Sequence, residues 1–106
     1  MKAILIDAKN QQVSYVNNKG QLEDLYLTLG VNMVEIGTYL ENYDTLYVDE
    51  EGLINGTDFG FSLNGREYMG NGLLYGTNPQ DPSSNGPVVS KIEDLQVKFF
   101  KLVPAI

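Results

Sequence analysis

The sequence predicts an α+β fold in which a mixed, mostly antiparallel sheet carries one main helix and one short C-terminal helix on one face. Three observations point there. Apolar residues fall mainly in short runs with the period of two that belongs to strands. Asn-Gly pairs and glycine clusters punctuate those runs, as turns do. Only the segment around Leu22–Leu29 switches to helical spacing. At 106 residues the chain suits one domain spanning 1–106, because half that length would be too short to build a core.

Each element has its own signal. Ala3, Ile4, Leu5 and Ile6 form a short apolar run with β-branched members, suited to a strand buried on both faces. A polar turn at 7–11 leads to a second strand through Val13, Tyr15 and Val16, so residues 2–17 are expected to form a hairpin. Leu22, Leu25, Tyr26 and Leu29 then lie at i, i+3, i+4 and i+7, one face of a helix over 21–29. Glu23 and Asp24 occupy its first turn, where the helix dipole favours negative charge, and Gly30 supplies the stop. Alternation resumes through Val34, Ile36, Thr38 and Leu40, turns at 41–44, and returns as a strand at 45–49. Asn55-Gly56 and Asn64-Gly65 mark turns on either side of FGFSL, and Asn71-Gly72 introduces the strand GLLYG. Residues 77–87 contain three of the four prolines and almost nothing apolar, so a long loop is expected there. Ser90 and Glu93 have the spacing of a capping box, opening a short helix before a closing strand at 97–103.

Composition limits the function classes. Seven basic against 14 acidic residues give a net charge of −7. That charge repels phosphate backbones and anionic membrane surfaces, so neither nucleic acid nor membrane is expected as a direct partner. Its plainest role is solubility. No run approaches the ~20 apolar residues of a membrane span, and Asp7 ends the N-terminal apolar run too early for a signal peptide, so a cytoplasmic location is expected.

The catalytic inventory is thin. With no His and no Cys, the chain lacks the usual neutral-pH base, the nucleophilic triads and thiolate or imidazole zinc sites. Asp49, Glu50 and Glu51, with Asp44 nearby, lack the alternating-oxygen spacing of a calcium loop and run into Gly52, which favours a solvated turn over a metal site. No carboxylate pair is set as a raised-pKa acid beside a nucleophile, as glycosidase chemistry requires. The glycines at 60, 65, 70, 72 and 76 match neither the Walker nor the dinucleotide spacing. A protein that is not an enzyme and needs no cofactor or metal is therefore expected.

Two features point to binding. Arg66 is the only arginine of the chain and sits between two Asn-Gly turns, two residues before Tyr68. A guanidinium beside an aromatic ring and turn amides suits a phosphate or carboxylate group. An ordinary ion pair with Glu67 or with the acidic turn is the competing explanation. Seven tyrosines stand without a tryptophan. Tyr combines stacking area with a polar handle. Arg66, Tyr68 and Asn71 at the 70–72 turn are the candidate ligand residues, with Tyr39 and Tyr43 beside the 41–44 turn as further aromatic candidates. One small domain offers little depth for a nucleotide, so a homo-oligomer is expected.

MKAILID at the start, DTLYVDEEGLI at 44–54, NGLLYGT at 71–77 and KIEDLQVKFF at 91–100 resemble small phage- and prophage-encoded domains of unknown function. The resemblance covers most of the chain, departing mainly at 78–87, and transfers no catalytic residue. It implies an accessory protein acting in the host cytoplasm, of the kind that counters host defence. The leading expectation is a binding protein that sequesters a small anionic, nucleotide-like signal. The alternative is an acidic inhibitor that covers a host defence protein in the manner of a DNA-charge mimic, which the net charge of −7 favours. A third reading, hydrolysis of the same signal, would need a carboxylate-held metal.

Overall fold

The computed structural model describes residues 1–52 and 57–102. The elements are β1 (Lys2–Asp7), β2 (Gln12–Asn17), α1 (Leu22–Leu29), β3 (Val34–Tyr39), β4 (Thr45–Asp49), β5 (Phe59–Leu63), β6 (Arg66–Met69), β7 (Gly72–Asn78), β8 (Asp81–Gly86) and β9 (Val97–Lys101). One sheet runs β2-β1-β7-β4-β3, with β8 added to the far end of β7; a second runs β6-β5-β9. Every strand pairing among the described residues is antiparallel, so the sheet is not mixed as the sequence suggests.

The central strands β1, β7 and β4 of the larger sheet are buried on both faces, which explains their continuous apolar runs. Alternation sends Ala3 of β1, Tyr47 of β4 and Leu73 and Tyr75 of β7 toward Leu25 and Leu29 of α1. Ile4, Ile6, Leu46, Val48 and Leu74 point the other way, onto Phe61 and Leu63 of the second sheet. The layers are therefore helix, sheet, sheet. The buried Tyr75 and half-buried Tyr47 keep their hydroxyls satisfied: Tyr75 donates to Asn18 Oδ1, and Tyr47 donates to Asn85 Oδ1 at 2.8 Å.

The α1 helix forms where its spacing predicts, with the Gln21 amide donating to Asp24 Oδ2 at 3.1 Å and Gly30 ending it at φ 68°. Leu25 and Leu29 are buried, but Leu22 is 55% exposed. Eight residues make a helix only about 12 Å long, and its first turn overhangs a surface cleft lined by Gly20, Tyr47 and Asn85.

Two expectations about the C-terminal third fail. Residues 77–87 are not a loop: β7 runs to Asn78 and β8 returns from Asp81. Most of β8 is exposed, so it shows no apolar alternation, and Pro82 is tolerated because the strand lies at an edge. The short C-terminal helix is a single 3-10 turn, Ile92–Asp94. Ser90 does not cap it, because its amide and its hydroxyl both donate to Asp44 Oδ2, at 2.7 and 2.6 Å. Nor does the turn share a face with α1, since Ile92 and Leu95 pack into the cluster between the sheets. The Asn55-Gly56 turn and the end of the 97–103 strand lie outside the described residues.

Candidate ligand-binding groove

A groove of about 780 Å³ opens where the end of β3, the β5–β6 hairpin and the segment after β8 meet. Leu40, Leu63 and Leu95 form its apolar part. Thr38, Asn42, Asn64, Ser90 and Gln96 supply hydroxyls and carboxamides, and Arg66 and Lys91 supply positive charge against Glu41 and Asp94. An apolar floor with a few polar groups converging on it is the usual make-up of a small-ligand site.

Two local devices build this wall. The β3–β4 register shifts between Ile36 and Thr38, leaving Gly37 as a bulge. The extra residue reverses the alternation. Ile36 pairs Tyr47, on the helix side, whereas Thr38 pairs Leu46, on the side of the second sheet. The bulge thus turns Thr38 and Leu40 toward the groove. Gly37 is required by a close approach: a Cβ there would lie 2.7 Å from Tyr68 Cε1. The second device is the two-residue turn Asn64-Gly65, with φ values of 50° and 89°. It matches the tight hairpin turn that Asn-Gly favours, and it makes Leu63 and Arg66 the first strand pair beyond the turn.

The predicted site residues separate. Arg66 lies in the groove, is exposed, and donates from Nη1 to Thr38 Oγ1 at 3.2 Å. It makes no ion pair with Glu67; among the described residues the ion pair found is Lys101–Asp58, at 3.8 Å. Tyr68 is half-buried and lies outside the groove, beside the acidic cleft. Its ring lies 5.4 Å from that of Phe61, and its hydroxyl donates to the Gly37 carbonyl at 3.2 Å. Asn71 belongs to another part of the molecule, accepting the Ala8 and Lys9 amides at 2.8 and 3.4 Å. Tyr43 sits outside the groove with a left-handed backbone at φ 67°, and its carbonyl accepts the Thr77 hydroxyl at 2.9 Å. Tyr39 lines the rim, yet strand alternation directs it opposite to Thr38, toward the face of Tyr47. That placement agrees with its electrostatic effect on Tyr47, whose hydroxyl is pushed above the ordinary tyrosine value chiefly by burial and further by Tyr39.

Sequence reasoning missed Lys91, Ser90, Asn42, Asn64 and Gln96, although Asn64 and Ser90 were noticed for other reasons. Arg66 and Lys91 are 25 positions apart, and their segments meet through long-range contacts, the pairing of β5 with β6 and β9 and the bonds from Val89 and Ser90 to Asp44.

A second cleft, of about 400 Å³, gathers Glu35, Asp49, Glu50 and Glu67 beside Tyr68 and Met69. Its turn is internally bonded, Asp49 Oδ1 accepting the Glu51 amide at 2.8 Å. Among the described residues no group of three or more potential ligands is placed to hold a metal ion, and no helix is long and apolar enough to cross a membrane. No family model matches the chain, and no match was found among the curated proteins or the solved structures.

Proposed function

We propose that this protein is a non-enzymatic binding protein that sequesters a small anionic, nucleotide-like signalling molecule in the groove at Arg66, the role of a phage accessory protein acting against host defence. One observation carries the reading. The single arginine of an acidic chain reaches into a groove with an apolar floor, anchored by a hydroxyl and, among the described residues, not neutralised by a carboxylate. Its remaining donors, which meet no acceptor among the described residues, suit a bidentate, charge-assisted contact with phosphate, which Lys cannot reproduce in geometry. Lys91 adds charge from the opposite segment, and Asn64 and Gln96 offer carboxamides suited to the edge of a base.

The test is calorimetric titration of wild type, Arg66→Lys and Arg66→Ala with cyclic nucleotides and ADP-ribose. Wild type is expected to bind a member of the panel, and both variants to bind it at least about tenfold more weakly, the worth of a charge-assisted hydrogen bond. Equal binding by all three would remove Arg66 from the site. No binding by wild type would remove the reading.

The acidic cleft favours one alternative. Four carboxylates beside the exposed edges of β3 and β6 suit a basic protein surface, as an inhibitor of a host defence protein would present. That reading predicts a macromolecular partner and no small ligand.

A further inference from the structure

Asp44 is a fully buried carboxylate, at 0% exposure, and it makes no ion pair among the described residues. Burying a charge is costly unless hydrogen bonds compensate it. Here they come from one direction. The Val89 amide donates to both oxygens at 3.1 and 3.2 Å, while the Ser90 amide and hydroxyl donate to Oδ2 at 2.7 and 2.6 Å. On its own side, Asp44 is held by its amide donating to Asn42 Oδ1 at 3.0 Å and by its carbonyl accepting the Leu40 amide at 2.8 Å. Asn42 Nδ2 closes the ring by donating to Ser90 Oγ at 2.9 Å.

The segment these bonds hold is one wall of the groove. Val88 is tied to β1 by its amide, which donates to the Lys2 carbonyl at 2.9 Å, but residues 87–91 belong to no strand. The Val89 and Ser90 amides therefore have a carboxylate where a strand would find carbonyls of a neighbour. Asn42, Val89, Ser90 and Lys91 all line the groove. The Ser90 hydroxyl spends its one hydrogen on Asp44 and accepts from Asn42, so it belongs to the scaffold.

We infer that Asp44 is the positioning residue of the groove: it fixes the 89–91 wall against the 40–44 turn and so sets where Lys91 stands opposite Arg66. The inference rests on the groove being the capture site, but its structural half has a readout that needs no ligand. Residue-resolved amide hydrogen exchange would compare wild type, Asp44→Asn and Ser90→Ala. In Asp44→Asn the Val89 and Ser90 amides should exchange at least about tenfold faster while those of Leu73 and Leu74 keep their protection. In Ser90→Ala, which keeps the carboxylate, both wall amides should stay protected. Wall amides that are unprotected in wild type, or unchanged in Asp44→Asn, would overturn the inference. So would loss of both protections in Ser90→Ala, which remains decisive if Asp44→Asn does not fold. Calorimetry with ADP-ribose and cyclic nucleotides then separates the two claims. A panel member bound by wild type should bind Asp44→Asn at least about tenfold more weakly, and equal affinity would sink the positioning role; no binding by wild type would sink the capture reading and leave the exchange contrast to decide the wall.

Discussion

Arg66 shows what a single residue can and cannot reveal. Its isolation in an acidic chain is visible in composition, and so is its place beside an Asn-Gly turn, which fixes the pair Leu63–Arg66. Its neighbours are less visible. Tyr68 is two residues away and on the same strand face, but its ring packs against Phe61 and its hydroxyl is held by the Gly37 bulge, so what it leaves exposed borders the acidic cleft and not the groove. Asp44 looked like one acid among several near a turn; nothing local distinguishes a buried carboxylate from a solvated one when its donors arrive from residues 89 and 90. Asp81 presents the reverse case, an exposed carboxylate organised by its own neighbours. Its pKa is lowered from 3.8, first by the Ser83 hydroxyl, then by the Ser84 hydroxyl and the Ser83 amide. A depressed carboxylate contributes stability above its unfolded-state value and loses that contribution as pH falls through the lower folded-state value. The window is thus the acid range below 3.8. Carboxyl NMR titration should place the Asp81 midpoint below that of an unstructured Asp, and Ser83→Ala should raise it. A midpoint unmoved by that substitution would remove the hydroxyl as the cause.

At the scale of elements, legibility follows burial. The β1–β2 hairpin and α1 were readable because an apolar pattern specifies each one, and of the β5–β6 hairpin the Asn64-Gly65 turn was readable but the strand Arg66–Met69 was not. β8 was not, because an exposed edge strand needs no apolar alternation and is held by backbone pairing from Gly76 to Asn78. The last helix was misjudged because a capping box is a local signal, and a buried carboxylate from another strand competes for the same serine. The β3 bulge was invisible for a different reason. Val34, Ile36, Thr38 and Leu40 alternate without a break in sequence, and only the register with β4 shows that the last two face the other way. The α1 helix gives the firmest test at this scale. Leu25→Ala removes a side chain that is 2% exposed, and should cost about 2–5 kcal/mol in denaturant unfolding, whereas Leu22→Ala, at 55% exposure, should cost under about 1 kcal/mol. Similar losses for the two would mean that the helix face is rotated from the one observed.

For the whole molecule, the α+β class and the antiparallel majority follow from periodicity, while the division into two sheets does not. FGFSL and VKFFK look like further strands of one sheet until Phe61 and Leu63 are seen packing across the face of the larger one. The site is a product of that division, since it lies where the two sheets diverge at β3 and β6. Charge is divided in the same way: Arg66 and Lys91 share the groove with two acids, while four acids gather in the separate cleft beyond Tyr68. The proposed ligand capture and its alternative, partner docking, would therefore use different surfaces, and one spectrum can tell them apart. In a backbone amide NMR titration of wild-type protein with ADP-ribose and cyclic nucleotides, saturable shifts should appear at Thr38, Asn64, Arg66, Ser90 and Lys91, with Glu35, Glu50 and Glu67 unmoved. Spectra that stay unchanged throughout the titrations, or shifts confined to the acidic cleft, would contradict capture of an anionic ligand at Arg66.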